Sequence, residues 1–317
     1  MNILMIAVND PAGTAIGFAD ALNRRTGHFC RVVTLETRYN HSWRKDLHVP
    51  NLDEDGLGEL EQALRSADVF HFHMTADEDL RLGPFLPRDY MHGKALVHHH
   101  HGHPDFRDNP GKYSHKYREL NRHNLLVSTP DLLHILPEAH WQPNCVNEQD
   151  PAYQPLTNKP QAPLRIAHSP TRWDLKNTDD LLGVMRALSA DGHALELDLI
   201  DDAPHGDCLE RKRRSHIAFD HMQGYYGMSS LESLAQGVPT VAGLSGWCMD
   251  RMREFTGSIE LPWLVARDAE ELKETLTHLA YDTDARHEAG ARSRDFMERH
   301  WSEERVIGRL MGFYETL

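Results

Sequence analysis

The residue types that hold phosphate oxygens cluster in two stretches of the second half of this chain. In "RIAHSPTRWDLKNTDDLL" an apolar run ending in His168 leads into a loop carrying Arg172 and Lys176, ahead of a helix opened by Thr178 and Asp179. Arginine presents a planar fork of donors and lysine a point charge, which together suit a diphosphate; the same pair would also serve as ordinary surface cations. In "GYYGMSSLESLAQGVPTVAG", which begins at Gly224, Gly224 and Gly227 let backbone come close to a ligand. The first turn of the helix that follows, Met228, Ser229 and Ser230, has N–H groups without intrahelical partners and forms an anion site. Ser229 or Ser230 is expected to cap this helix, with Gly237 at its C′ position before Pro239. The alternative is a tight strand-to-helix turn in which Glu232 closes a Ser229-x-x-Glu232 capping box.

The first half offers two weaker constellations. "NDPAGTAIGFADALN" opens a helix behind a Gly-containing loop, with Gly13 and Thr14 as its candidate ligand-facing residues. It lacks the G-x-G-x-x-G spacing of a dinucleotide fingerprint, and a simple helix N-terminus explains it nearly as well. "ALVHHHHGHPDFRDN" ends an apolar run with histidines at 98–101 and at 103, a composition that suggests a metal. Neighbouring strand residues alternate faces, so at most two of the run 98–101 reach one ion, and closure needs ligands from elsewhere. No metal is expected here.

Parallel α/β layers are the elements that would position these residues. Apolar runs predict strands over 3–8, 31–35, 69–73, 95–98 and 125–128, with helices over 14–24 and 57–66 between them. "EQDPAYQPLTNKPQAP" then interrupts the pattern as a Pro-rich linker. Beyond it come strands over 164–168, 195–200, 217–220 and 240–244, helices over 178–190, 208–214 and 229–236, and a helical tail from Ala269. The division is therefore a first domain over 1–150, the linker over 151–163, a second domain over 164–300 and a terminal helix over 301–317. Two doubly wound parallel sheets facing across a cleft would bind ligands at the carboxyl ends of their strands, where both phosphate-type loops lie.

Composition narrows the function classes. The 317 residues carry 34 Lys+Arg against 48 Asp+Glu, a formal charge of −14, which argues against a protein that grips nucleic acid through phosphates. The basic run "RKRR" at 211–214 reads as the solvated face of a helix. Four scattered cysteines read as reduced thiols, and with no signal peptide and no apolar run of about 20 residues a cytoplasmic protein without a membrane span is expected.

Together the two phosphate-type stretches resemble the GT-B glycosyltransferases, particularly the family-four class of retaining, nucleotide-sugar-dependent enzymes. In that class a strand leads to Arg and then Lys-Gly, and later comes "E-P-F-G-x-x-x-x-E-A-x-A-x-G-x-P-V". Here Gly227, Glu232, Ala235, Gly237 and Pro239 fall in place, and the resemblance extends over nearly the whole chain to the late aromatic Tyr314. Gly224 stands where the class has its first Glu, and Asn177 where it has the Gly after Lys.

The resemblance implies a GT-B fold of two Rossmann-like domains, with the C-terminal helix returning toward the first. It implies that Arg172 and Lys176 neutralise the donor diphosphate and stabilise the departing nucleotide, that Glu232 accepts from the ribose hydroxyls, and that the Gly13–Thr14 loop lies beside diphosphate and acceptor. His101 would hydrogen-bond the donor sugar near its reacting carbon, with Gly102, Asp105 and Arg107 on the acceptor or sugar side. The missing first Glu bears on donor-sugar recognition. The cations and helix dipoles would do the work of a divalent metal, with no cofactor beyond a nucleoside-diphosphate sugar, such as a UDP-sugar, as co-substrate. The expected activity is transfer of that sugar to a hydroxyl acceptor, a glycan or lipid-linked glycan, with retention by front-face displacement. The alternatives are a phage-type transferase acting on a hydroxymethylated DNA base and a catalytically inactive nucleotide-sugar-binding module.

Overall fold

The computed structural model describes residues 1–38, 43–160 and 162–317. In chain order the elements are β1 (Asn2–Ala7), α1 (Thr14–Arg25), β2 (Phe29–Thr34), β3 (Leu47–His48), α2 (Glu54–Ser66), β4 (Val69–His73), β5 (Ala95–His100), α3 (Pro104–Asp108), α4 (Pro110–Glu119), β6 (Leu125–Val127) and β7 (His140–Trp141). They continue with β8 (Leu164–His168), α5 (Thr178–Ala190), β9 (Leu195–Leu199), α6 (His205–Arg214), β10 (Ile217–Phe219), α7 (Met228–Ala235), β11 (Thr240–Ala242), α8 (Gly246–Thr256), β12 (Leu264–Val265), α9 (Ala269–Tyr281), α10 (Thr283–His300) and α11 (Glu303–Tyr314). The chain divides into one unit of Met1–Cys145 with Glu303–Leu317 and a second of Val146–Ser302. The described residues of the Pro-rich stretch 151–163, expected as a linker, belong wholly to the second unit. Among the described residues no helix is long and apolar enough to cross a membrane.

The first unit is built on a parallel sheet of order β3-β2-β1-β4-β5-β6-β7. Strand β1 is buried from Ile3 to Ala7 and β4 along its whole length, as continuous apolar runs covered on both faces must be. Leu4, Ile6, Phe70 and Phe72 pack with Leu60 and Leu64 of α2. Helix α11 joins this unit through Val306, Ile307, Leu310 and Tyr314, a buried stripe at helical spacing. Its Glu303, 1 % exposed, accepts from Arg25 Nε at 2.7 Å and pairs with Arg24, both from α1.

The second unit holds a parallel sheet of order β12-β11-β10-β8-β9. Its core joins Ile166, Ile217, Phe219 and Val241 of the sheet to Leu181, Val184 and Leu188 of α5 and Leu272, Leu276 and Leu279 of α9. Each such leucine contributes about 1.5–3 kcal/mol by leaving water. The expected strands and helices are present with ends shifted by a few residues. The two-residue strands β3, β7 and β12 and the five-residue α3 are too short to carry a period, and helices α4 and α8 are additions to the expected elements. The four cysteines are unbridged.

Candidate functional site

In the second unit the two phosphate-type stretches meet at the carboxyl ends of β8 and β10, joined by a residue the sequence did not single out. Asp220 directly follows β10 and is 2 % exposed. Its Oδ1 accepts from Lys176 Nζ at 2.7 Å, and its Oδ2 accepts from Gly227 N at 2.6 Å and Ser230 Oγ at 2.8 Å. Burial works against a charged carboxylate here, but the neighbouring His221 and Lys176 and the Gly227 N–H outweigh it and hold Asp220 well below the usual carboxylate range.

Gly227 leaves room for this approach. A Cβ there would lie 2.8 Å from Lys176 Nζ and 3.1 Å from both Asp220 oxygens. The N-cap of α7 is Gly227 itself, with no side-chain cap, which corrects the expected caps Ser229 and Ser230. Ser230 turns to Asp220, and Ser229 Oγ meets Ser169 Oγ at 2.9 Å, linking the loop after β8 to the start of α7. The N–H groups of Met228 and Ser229 in the first turn lie outside the i→i−4 ladder. Gly237 sits at φ +64° behind the helix, as its expected C′ place requires.

Both departures from the family pattern have backbone causes. Asn177 is the N-cap of α5 at φ 51°, a left-handed conformation that Gly takes freely and Asn better than most residues. Its Oδ1 accepts from Met222 N at 2.8 Å and Gln223 Nε2 at 3.0 Å, tying the loop after β8 to that after β10. Gly224 sits at φ +87°, with its N donating to the Gly243 carbonyl at 2.7 Å and its own carbonyl accepting from Ser245 N at 3.0 Å. A glutamate at 224 would strain the chain in this conformation.

Glu232, 5 % exposed, accepts from Lys212 Nζ at 2.6 Å on Oε2 and meets His205 Nε2 at 2.7 Å on Oε1. Burial raises its pKa, but Lys212 and His205 overcome that and bring it down to about 2. The capping box does not form. Lys212, 2 % exposed, corrects the reading of the run 211–214 as a solvated face: this member turns inward, while Arg211 pairs with Asp198 and Arg213 and Arg214 pair with Glu210. Arg172, whose side chain is 47 % exposed, pairs with Asp174 on its own loop. His168, buried against the Phe219 carbonyl at 3.1 Å and Thr178 Oγ1 at 2.8 Å, is pushed down to about 4 by burial.

In the first unit Gly13 is the N-cap of α1 at φ 61°, and a Cβ on it would fall 2.5 Å from the Trp43 ring. Thr14 opens the helix, 8 % exposed. The anion expected at this N-terminus is supplied by the chain: Asp10 accepts from Ala15 N at 3.2 Å and Ile16 N at 3.0 Å. Burial outweighs those donors and raises its pKa.

The histidine run extends β5, and its alternation is as expected. His98 and His100 face one side, toward Glu78 at 3.3 Å and Tyr117 Oη at 2.7 Å. His99 and His101 face the other, where the parallel register with β4 sets them beside His71 and His73. His101 Nε2 meets His73 Nδ1 at 2.9 Å, with the rings stacked 5.1 Å apart. His71 and His73 were not singled out, although "VFHFH" places both on one face of a predicted strand. Gly102, at φ +74°, has its carbonyl bonded by Arg107 Nε at 3.3 Å, and Arg107 NH1 donates to Asp131 Oδ2 at 2.7 Å. Asp105 accepts from Tyr113 Oη at 2.6 Å and Lys112 Nζ at 2.8 Å; Lys112 and Tyr113 lower it to about 2.

No family model and no curated protein matches this chain. Solved structures do, over their full length. HepE from Anabaena, solved in complex with UDP, superposes with a TM-score of 0.66 at 10% identity, covering 100% of each chain. Sucrose-phosphate synthase from Thermosynechococcus elongatus gives 0.61 at 12% identity, covering 99% of this chain and 98% of its own. A glycosyltransferase from Rickettsia africae gives 0.59 at 12% identity with the same coverage. The fold is GT-B, two parallel-sheet α/β units of the kind these glycosyltransferases share.

Proposed function

We propose that this protein is a glycosyltransferase that moves a sugar from a nucleoside-diphosphate donor to a hydroxyl acceptor, and that the donor's diphosphate lies at the carboxyl ends of β8 and β10. The observation that carries this reading is the joining of Lys176, Gly227 and Ser230 on Asp220 within a full-length GT-B fold. Lys176 gives Asp220 one of its three N–H donors, which leaves two for phosphate oxygens. The N–H groups of Met228 and Ser229 and the dipole of α7 add to it, and Arg172 brings a second cation on the loop after β8. These groups stabilise charge that grows on the diphosphate as the bond from its oxygen to the anomeric carbon breaks. With retention, the acceptor oxygen bonds the same face of that carbon and passes its proton to the leaving phosphate. Glu232 keeps two of its four lone-pair sites beyond Lys212 and His205 for ribose hydroxyls. His101, stacked on His73 at the end of the histidine run, is the candidate contact of the donor sugar, with Gly102, Asp105 and Arg107 in the loop behind it. The diphosphate needs no metal in this arrangement, and UDP is the first nucleotide to test because HepE was solved with it.

A panel of nucleoside diphosphates and their sugars, read by thermal shift and by release of nucleotide, tests this. The expected result is stabilisation by at least one nucleoside diphosphate and slow release from its sugar, both abolished by Arg172→Ala with Lys176→Ala. No stabilisation by any member would sink the proposal. Gly224, at a φ that disfavours the glutamate of the resembled pattern, favours a second reading, a nucleotide-sugar-binding module without turnover. Binding without donor hydrolysis or transfer would select it.

A further inference from the structure

His71, His73 and His99 lie on one face of adjacent parallel strands, and one ring nitrogen from each falls within 4.8 Å of the other two. All three are buried, at 0 %, 2 % and 1 % exposure. We propose that these three histidines bind one divalent transition-metal ion in the core of the first unit, with zinc as the chemical type.

The rings of His71 and His73 stack 4.4 Å apart at 16°, so their nitrogens converge on one ion once the side chains rotate out of the stack. His71 Nε2 and His99 Nδ1 are 3.2 Å apart, close to the ~3.3 Å edge of a tetrahedron of nitrogens placed about 2.0–2.1 Å from a zinc ion. The outward nitrogen of His71, Nδ1, bonds Tyr314 Oη at 2.6 Å, and His73 Nδ1 bonds His101 Nε2 at 2.9 Å. Those contacts orient the rings as outer partners of metal-ligating histidines do, and they direct His73 Nε2 inward. His73 Nε2 is buried without a hydrogen-bond partner. A buried polar atom left so costs about 1–3 kcal/mol, a cost that coordination removes. Neutral imidazole is the ligating form. Three imidazoles suit zinc, copper, nickel or cobalt better than magnesium or calcium, and leave a fourth position open. The site touches the proposed transfer machinery through the His73–His101 contact, but retained metal is read without turnover, so its failure and the failure of that proposal are separable.

Cobalt makes the site visible. Full-length protein produced in cobalt-supplemented minimal medium should carry one cobalt per chain, with the ligand-field absorption of a four-coordinate site. His73→Gln and His99→Gln should each lower retained cobalt at least tenfold, whereas the exposed His115→Gln should leave it unchanged. X-ray absorption on the unaltered protein should show three imidazole nitrogens at about 2.0–2.1 Å, a result that does not depend on the variants folding. Cobalt content no higher than in the His73→Gln protein, or a shell dominated by oxygen, would overturn the assignment.

Discussion

Both units set an aspartate beyond a parallel strand at the start of the next helix, Asp10 accepting from the Ala15 and Ile16 N–H groups of α1 and Asp220 from the N–H of the α7 N-cap Gly227 and the Ser230 hydroxyl, yet opposite forces decide the two charges. At Asp10 burial wins over the α1 amides and raises the pKa; at Asp220 His221, Lys176 and Gly227 win over burial and lower it. The same contrast runs through the polar interiors. The first unit adds a cluster of neutral imidazoles, His71, His73, His99 and His100, to its buried ion-paired carboxylates Glu78 and Glu303, while the buried carboxylates of the second include Glu232, paired with Lys212, and Asp220, paired with Lys176. A helix N-terminus therefore does not fix the charge of what it holds; the cations brought alongside by distant parts of the chain do.

Acid should separate the two interiors by the largest margin. The four histidines of the first unit have folded pKa values well below 6.5, so the unfolded chain binds protons that the folded chain refuses once pH falls below that value. Each costs about 1.4 kcal/mol for one pH unit, or about 5 kcal/mol for the four at pH ~5.5 in metal-free protein. In the second unit Glu232 gives up its stabilisation only as pH falls below 4.5 toward about 2, and His168 and His216 are two groups of the first kind. Hydrogen exchange at pH ~7.5 and ~5.5 should show β4 and β5 losing protection before β8 and β10. Equal loss in both would break the comparison.

The ion-paired interior should fail when one partner is removed. Glu232→Gln strands the Lys212 cation in a site 2 % exposed and should cost about 3–5 kcal/mol by urea denaturation, while Glu232→Leu with Lys212→Met should recover most of that. A loss below about 1 kcal/mol in the single variant would show that the pair is not what holds α6 to α7.

How much of this was legible in sequence follows from which forces are local. Continuous apolar runs and helical stripes announced the layers, and the loops after β8 and β10 announced Lys176, Gly227 and Ser230, because glycines and cations after strands have few other reasons to cluster. Asp220 ended a strand with nothing local to mark it. Lys212 sat inside four basic residues that read as a wet face, and only the tertiary approach of α7 turns it inward. Gly224 and Asn177 looked like losses from a motif until their positive φ angles gave each a backbone reason. His71 and His73 escaped because a register between strands, not a spacing within one, sets them beside His99.

A smaller effect separates Arg172 from Lys176. Arg172 is exposed and pairs on its own loop, so Arg172→Ala should lower turnover about 10²-fold without moving the melting temperature. Lys176→Ala should lower both, because it leaves Asp220 buried without its cation. If calorimetry found the two variants equally stable, the Lys176–Asp220 contact would carry no structural weight.

The smallest change sharpens the opening contrast most. Asp10→Asn keeps one acceptor for the α1 amides, turns an NH2 toward the other, and removes a charge that burial already opposes, so stability at pH ~7 should move by no more than about 1 kcal/mol. Asp220→Asn removes a charge that Lys176 requires and should cost several times more. The pH dependence carries opposite signs. Asp10 has a folded pKa above its unfolded 3.8, so its contribution is fully present below that value and is lost as pH rises through the folded one. Asp220 lies below 3.8, so its contribution is present above that value and is lost as pH falls. As pH falls from ~6 toward 3.8 the unaltered protein should gain stability relative to Asp10→Asn, and as it falls further below 3.8 it should lose stability relative to Asp220→Asn. Slopes of the same sign would mean that one balance of burial and charge governs both helix ends.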